Sequence, residues 1–88
     1  MNSLKEELLE RMHEELEDSE TYMQMSKNAE EKGHLSLAKG LEEMALDEVT
    51  HADFLRDHLI HADLYNPHEH PEFEEKWHQA LHAFGIRK

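Results

Sequence analysis

The chain has no cysteine, and this absence removes two ways of stabilising a small protein. Neither disulfide bonds nor thiolate metal sites can form, so a bound metal would have to be held by histidine and carboxylate side chains. Stabilisation matters because 88 residues make one small domain, and a domain of this size buries only roughly 60% of its unfolded surface. A metal held in that way, or a partner chain, remains as a source of extra stability.

Basic residues are also scarce, with nine lysines and arginines against 21 acidic residues and a net charge of −12. Without a basic stretch, binding to nucleic acid or to an anionic membrane surface is not expected. No run of about 18 apolar residues occurs, so no membrane-spanning helix is predicted. The first residues lack the basic-then-apolar order of a signal peptide, and a cytoplasmic location is the resulting expectation.

Proline and glycine are rare, and their positions divide the chain into three segments. Residues 4–32 contain neither and are rich in good helix formers, and Gly33 then allows the left-handed conformation that ends helices. Residues 35–63 form the second segment, and the proline-containing stretch 66–71 separates it from a third segment at 72–84. No strand pattern occurs. The predicted fold class is therefore all-α, a long antiparallel helical hairpin followed by a short C-terminal helix.

Each long segment carries an apolar stripe at spacings of three and four residues, which is typical of a packed helix. The first stripe is Leu9, Met12, Leu16, Ser19, Met23 and Ser26, and the second is Leu41, Ala45, Glu48, Ala52, Leu55, Leu59 and Ala62. Two helices packed together cover only one side of each stripe. The simplest closed arrangement is an isologous dimer in which two hairpins form a four-helix bundle.

Charged side chains interrupt the apolar pattern at one level of the hairpin. Glu48 lies on the second stripe with His51 one turn later, and a buried carboxylate is costly unless it is paired or bound to metal. Glu15 belongs to a stripe that flanks the first one and precedes Gly33 by 18 residues. Glu48 and His51 follow Gly33 by 15 and 18 residues, so all three lie roughly 22–27 Å from the turn at 1.5 Å per residue. An antiparallel hairpin therefore brings them level.

One Glu opposite a Glu-x-x-His motif is half of a recurrent ligand set. Di-iron sites in ferritin-like bundles use a Glu from each of two helices and Glu-x-x-His from each of the other two, so a complete site requires two copies of this chain. Carboxylates with imidazole suit iron, manganese or another divalent cation. Glu-x-x-His begins at Glu10, Glu31, Glu48 and Glu75. Only Glu48 lies on an apolar stripe near the middle of a helix and level with an inward Glu.

Two motifs in the long helices are distinctive when they occur together. They are Glu14-Glu15-Leu16-Glu17, followed by Tyr22, and Asp47-Glu48-Val49-Thr50-His51-Ala52. Together they resemble the encapsulated ferritins, short relatives within the ferritin-like and rubrerythrin superfamily. The resemblance implies that residues 1–88 are a single ferritin-like half-bundle domain that dimerises into a four-helix bundle.

The resemblance also implies an activity. In that family the residues matching Glu15, Glu48 and His51 bind iron at a dimer interface, with two irons per dimer, and those matching Glu14 and Glu17 form an outer site on the path of incoming iron. Dimers assemble into a larger ring, commonly a decamer. The implied function is a ferroxidase that oxidises Fe(II) with dioxygen for iron storage and detoxification, with an encapsulin shell as partner and a cytoplasmic nanocompartment as location.

Two departures from the family pattern bear on these expectations. The family commonly has tryptophan at the position of Thr21, which affects the lining of the outer site. The tail 81–88 is only a faint echo of the docking peptide of shell-enclosed members, so a free-standing relative and a shortened tail both stay open.

Tyr22 and the third segment carry further hypotheses. Tyr22 lies two turns after Glu15 and could hydrogen-bond a ligand or donate an electron; a tyrosine at the core edge with its hydroxyl in water is the alternative. Trp77 and its apolar neighbours are expected to pack against a bundle or a neighbouring dimer. Several histidines crowd this region, and loose metal binding, a pH-sensitive interface or ordinary surface positions are the alternatives: His61, His68, His70, His78 and His82.

Two other functions fit the same residues. A di-iron reductase of the rubrerythrin kind would scavenge peroxide and, without cysteine for its own electron-transfer centre, would need another protein as electron donor. A non-enzymatic helical interaction module would instead pair Glu15 and Glu48 with basic residues across a dimer. Arg11 and Lys27 are the basic residues near the first stripe.

Overall fold

The computed structural model describes residues 3–86 and contains two long helices, a short turn of 3-10 helix and one shorter helix. Helix α1 spans Leu4–Glu31 and α2 spans Leu35–His61, and the 3-10 turn Pro67–Glu69 leads into α3 at Pro71–Ala83. No strand occurs among these residues, which confirms the prediction of an all-helical hairpin with a short C-terminal helix. Arg87 and Lys88, the end of the tail compared with a docking peptide, lie outside the described residues.

The ends of the long helices follow from local chemistry. The Ser3 side chain accepts a hydrogen bond from the Glu6 backbone N–H at 3.2 Å and so caps α1. At the other end, Gly33 adopts φ +81° and the His34 N–H bonds back to the Ala29 carbonyl at 2.8 Å. Helix α2 ends in a related way at Asp63, which takes φ +62°. This is why it stops at His61, whereas the predicted segment runs to residue 63.

Helix α3 folds back onto one side of the hairpin and closes an apolar core within a single chain. The expectation that a hairpin stripe can be covered only by a partner is therefore wrong for this side. Trp77, as expected for its apolar surface, packs into this core rather than remaining exposed. The core residues are Met12, Leu16, Val49, Ala52, Leu59, Tyr65, Phe73, Trp77 and Leu81.

A clasp of polar groups joins α2 to α3 beside this core. The Arg56 guanidinium donates to both carboxylate oxygens of Glu74, at 2.8 and 2.5 Å, and lies 3.7 Å above the Trp77 ring. The Tyr65 hydroxyl donates to the same carboxylate at 2.8 Å. Burial opposes ionisation of Glu74, but its bonds from Arg56 and Tyr65 outweigh that effect and lower its pKa. Burial, together with the bond to Glu74, raises the pKa of Tyr65.

The predicted stripes are largely buried, with informative exceptions on α2. In α1, Met12, Leu16, Ser19 and Ser26 are buried as predicted, and Ser26 Oγ donates to the Ala38 carbonyl at 2.6 Å across the two helices. In α2, Val49 is fully buried although the predicted stripe omitted it. Glu48 is half-buried at the edge of the stripe rather than at its centre, and Ala62 is exposed.

None of the helices within residues 3–86 has the length and apolar character that crossing a bilayer requires.

Candidate metal centre

Three potential metal ligands meet at mid-height of the hairpin. The structure brings Glu15 of α1 together with Glu48 and His51 of α2, and one ligand atom from each lies within 4.8 Å of the other two. The hairpin turn sets this level because equal lengths of helix separate the two sides from Gly33. No other group of three or more such side chains in residues 3–86 converges as closely.

The three side chains do not point into the core that α3 covers. Leu16 and Val49, the next residues along the chain from Glu15 and Glu48, pack in the core beneath α3. Because neighbouring helical residues point about 100° apart, the two carboxylates lie on the adjoining side of the hairpin. The Glu15 side chain is 16% exposed and that of His51 is 59% exposed. The cluster is therefore anchored at the helix interface on one side and open on the other.

The electrostatics of the cluster reflect two carboxylates at close range. The pKa of Glu48 is raised to about 7, chiefly by a hydrogen bond shared with Glu15, then by burial and by the charges of Glu15 and Asp18, while His51 opposes the shift. The His51 Nδ1 lies 3.3 Å from Glu15 Oε2. Near neutral pH the carboxylate pair therefore tends to retain a proton. A divalent cation would relieve the same repulsion, so the donor set fits a metal that prefers oxygen and imidazole ligands.

Asp18 is a residue of this site that the stripe pattern did not indicate. It lies one turn after Glu15 on α1, and its negative charge contributes to the raised pKa of Glu48. The available signal was its three-residue spacing from Glu15, because such residues share a helix face. Asp18 adds negative potential at the open side of the cluster.

The residues expected at an outer site are not drawn into the cluster. Glu14 and Glu17 are exposed, and Glu14 lies 3.5 Å from Arg11 in a surface ion pair. Thr21 is exposed as well, with its hydroxyl donating to the Glu17 carbonyl at 3.3 Å. The outer iron site therefore stays a prediction.

Tyr22 belongs to a second, smaller cluster near the turn. It is half-buried and packs against Ala29, Ala38 and Leu41. Within the described residues its hydroxyl makes no hydrogen bond to Glu15 or to the other candidate ligands. Its contacts are those of a tyrosine at a core edge, and a role in electron donation stays a prediction.

An exposed stripe that combines apolar side chains with histidines runs along α2 past the metal cluster. Leu37, Met44, His51 and His58 follow one another at intervals of seven residues, which places them on nearly the same face of the helix. Leu37 is 57% exposed and Met44 is 44% exposed. Phe54, one turn beyond His51, is 63% exposed and its ring lies 4.2 Å from that of His58. The candidate ligands thus interrupt an apolar surface that nothing in residues 3–86 covers.

Comparison with known protein families identifies a match over most of the chain. The family model described as Rubrerythrin matches residues 6–83, which include all three candidate ligands and most of the three helices. Comparisons with curated proteins and with solved structures find no significant match.

Proposed function

The chain belongs to the rubrerythrin family of the ferritin-like superfamily, and from that premise we propose that it is a ferroxidase of the encapsulated-ferritin type. It oxidises Fe(II) to Fe(III) with dioxygen at a di-iron site shared between two copies, for iron storage and detoxification. The observation that carries the proposal is the convergence of Glu15, Glu48 and His51 at one level of the hairpin. Proteins of this family typically bind iron.

Two copies are needed because one chain provides only half of a di-iron ligand set. A single hairpin offers one Glu from α1 and Glu-x-x-His from α2, whereas a ferritin-like site takes two of each. A two-fold axis passing beside the cluster would bring the second half into place. Glu15, Glu48 and His51 of the two copies would hold the two ions, and the ions would supply the redox chemistry with dioxygen.

The uncovered stripe supports a dimer on this face. Helix α3 already occupies the other side of the hairpin, so a second copy would meet the side that carries Leu37, Met44 and Phe54. Exposed apolar side chains of this size mark contact surfaces when they are contiguous. Burying them against the same stripe of a second hairpin completes the bundle and excludes water from the carboxylates. Assembly of dimers into a ring such as a decamer, inside an encapsulin shell in the cytoplasm, extends the same proposal.

The side chains have separate tasks in the reaction. Glu15 and Glu48 take up Fe(II) in exchange for the proton that they share near neutral pH, and that proton passes to solvent. His51 adds a neutral nitrogen ligand, and Asp18 attracts the cation without joining the cluster. The two Fe(II) held by these residues would supply one electron each, and with two protons from solvent they would reduce dioxygen to hydrogen peroxide. Glu14 and Glu17 are the proposed outer site from which Fe(II) reaches the pair.

Iron oxidation in air tests the proposal directly. Wild-type protein mixed with Fe(II) should develop ferric absorbance, and Glu48→Ala should lower the initial rate by more than about 100-fold, since even residues that only orient metal ligands contribute about 10–100-fold. Glu75→Ala is the matched control because Glu75 begins another Glu-x-x-His motif but is exposed on α3, and its rate should equal that of wild type. No ferric product from wild type, or an unchanged rate in Glu48→Ala, would contradict the proposal.

Two further measurements address the oxidant and the assembly. Replacing dioxygen with hydrogen peroxide at equal concentration separates a ferroxidase from a peroxide-scavenging reductase, which would react far faster with peroxide. Native mass spectrometry with and without Fe(II) should show a dimer or ring that binds two irons per pair of chains. A dimer whose formation and mass are indifferent to Fe(II) would instead favour a non-enzymatic interaction module.

A further inference from the structure

A second group of potential ligands surrounds a surface cavity on the other side of α1. The fold brings His13, from the middle of α1, next to His70, the residue that precedes α3. Their separation in sequence is large, and no local motif connects them. The cavity has a volume of about 320 Å³ and is lined by His13, Glu69, His70, Pro71, Glu72 and Phe73.

The four polar side chains around this cavity have no hydrogen-bond or ion-pair partner among the described residues. The His13 ring instead lies edge-on to Phe73, with centroids 4.9 Å apart, and the His70 ring stacks on Tyr65 at 4.8 Å. These contacts place both rings beside the cavity.

We propose that His13 and His70 form a second divalent-metal site, of the class that binds Zn²⁺, with Glu69 or Glu72 as the third ligand. Two imidazoles with one carboxylate, and water in the fourth position, form a ligand set that zinc commonly takes. The ratio of imidazole to carboxylate ligands is the reverse of that in the first cluster, which offers two carboxylates and one imidazole. The two sites therefore differ in metal preference, with the nitrogen-rich site favouring the borderline ion.

The second site is independent of the first in position. His13 precedes Glu15 by two residues, which turns it about 200° around the helix, and it faces the N-terminal end of α3 rather than the exposed stripe. A dimer formed through that stripe leaves the cavity open. The chain would therefore have two separate cation sites, and removing the ligands of one should leave binding at the other unchanged.

An ion at this site would hold the N-terminus of α3 against α1. His70 is the residue at the start of α3, and its side chain makes no capping hydrogen bond to the helix, so metal binding would not cost the helix a cap. The ligand atoms around the cavity do not converge within 4.8 Å as those of the first cluster do. Binding must draw the side chains inward, and the affinity should be correspondingly modest.

Zinc titration of a variant without the first cluster tests the site. Isothermal titration of the full-length Glu15→Ala/Glu48→Ala protein with Zn²⁺ alone should still show one ion per chain. His13→Gln and His70→Gln, each added to that background, should weaken binding by about tenfold or more, equivalent to about 1.4 kcal/mol. His78→Gln and His82→Gln, at exposed positions of α3 that do not line the cavity, should leave the affinity unchanged.

The result that overturns the site is loss of all Zn²⁺ binding on removal of Glu15 and Glu48, or equal losses in the control variants. If the double variant does not fold by circular dichroism, His51→Gln serves as the background. Zn²⁺ should also raise the melting temperature of the background protein, and His13→Gln should reduce that rise at the same Zn²⁺ concentration. The two proposals can fail separately. If wild type shows no iron oxidation, the ferroxidase proposal fails, but the Zn²⁺ titration still tests the second site.

Discussion

The two sides of the hairpin are built from the same pair of helices, but one is buried and the other is exposed to solvent. On one side, α3 closes a core in which Phe73 is 2% exposed and Trp77 is 3% exposed. On the other side, Leu37, Met44 and Phe54 are exposed to solvent near the three candidate metal ligands. Residues adjacent in sequence fall on different sides. The comparison shows that this chain covers one side of the hairpin by itself and leaves the other uncovered among residues 3–86, where the proposed function places an ion and a second copy.

The same contrast appears in the carboxylates of the two sides. Glu74, under α3, has a lowered pKa because the hydrogen bonds from Arg56 and Tyr65 outweigh the opposing effect of burial. Glu48, on the open side, has its pKa raised to about 7, first by the hydrogen bond with Glu15. One carboxylate already has its cation within the chain, and the other has a proton where a cation could bind. The charge of the nearest neighbour therefore distinguishes the two carboxylates: Glu74 belongs to a structural ion pair, and Glu48 to a candidate metal-binding site.

The largest effect should come from removing an aromatic side chain from the closed side. Phe73→Ala should cost about 3–5 kcal/mol, a large part of the roughly 5–15 kcal/mol that stabilises a typical domain. Phe54→Ala, on the open side, should cost less than about 0.5 kcal/mol in the monomer yet weaken dimer formation. Urea unfolding with a chelator present measures the first effect and sedimentation equilibrium the second. Equal destabilisation by both variants would show that Phe54 is not on an open surface.

A smaller effect is expected from neutralising one carboxylate on each side. Glu74→Gln should destabilise the protein by about 1–3 kcal/mol, because Arg56 and Tyr65 lose a charged acceptor. Glu48→Gln should leave the metal-free protein as stable as wild type or more stable at pH 8, because the repulsion with Glu15 disappears. Chemical denaturation of both variants at the same pH provides the test. A loss in Glu48→Gln comparable to that in Glu74→Gln would show that Glu48 also has a structural partner.

The smallest effect should be a pH dependence with opposite signs on the two sides. The raised pKa of Glu48 means that stability falls as pH rises from its ordinary 4.5 through about 7. The lowered pKa of Glu74 means that its stabilisation is present above 4.5 and is lost as pH falls below that value. Denaturation with a chelator at pH 5 and pH 8 should therefore show lower stability at pH 8. Glu48→Gln should lose less stability than wild type between pH 5 and pH 8; an equal loss in both proteins would show that another group causes it.

Counting along the chain was sufficient for the parts of the molecule that depend on local chemistry. Ser3 and Gly33 mark the ends of α1, and equal distances from Gly33 predict that Glu15 stands beside Glu48 and His51. The choice of side for α3 could not be read in this way, because the hairpin is apolar on both sides. That choice buries Val49 and moves Glu48 to the edge of its stripe.

Two other features depended on three-dimensional placement. The early end of α2 depends on Asp63 adopting a left-handed conformation, for which the sequence has no glycine as a signal. Asp18 was missed because the stripes were defined by apolar residues, and an acidic residue on an acidic helix does not stand out. In both cases the sequence contained the residue but not the reason for its role.

The short turn at Gly33 restricts how this sequence can change in length over evolution. The 32 residues between Glu15 and Glu48 include the ends of two continuous helices and the turn that joins them. One inserted residue in either helix would move a ligand about 1.5 Å along the axis and rotate it about 100°. Homologues that keep the centre should therefore conserve this interval, and insertions or deletions should accumulate between α2 and α3, where no candidate ligand of that centre depends on the count.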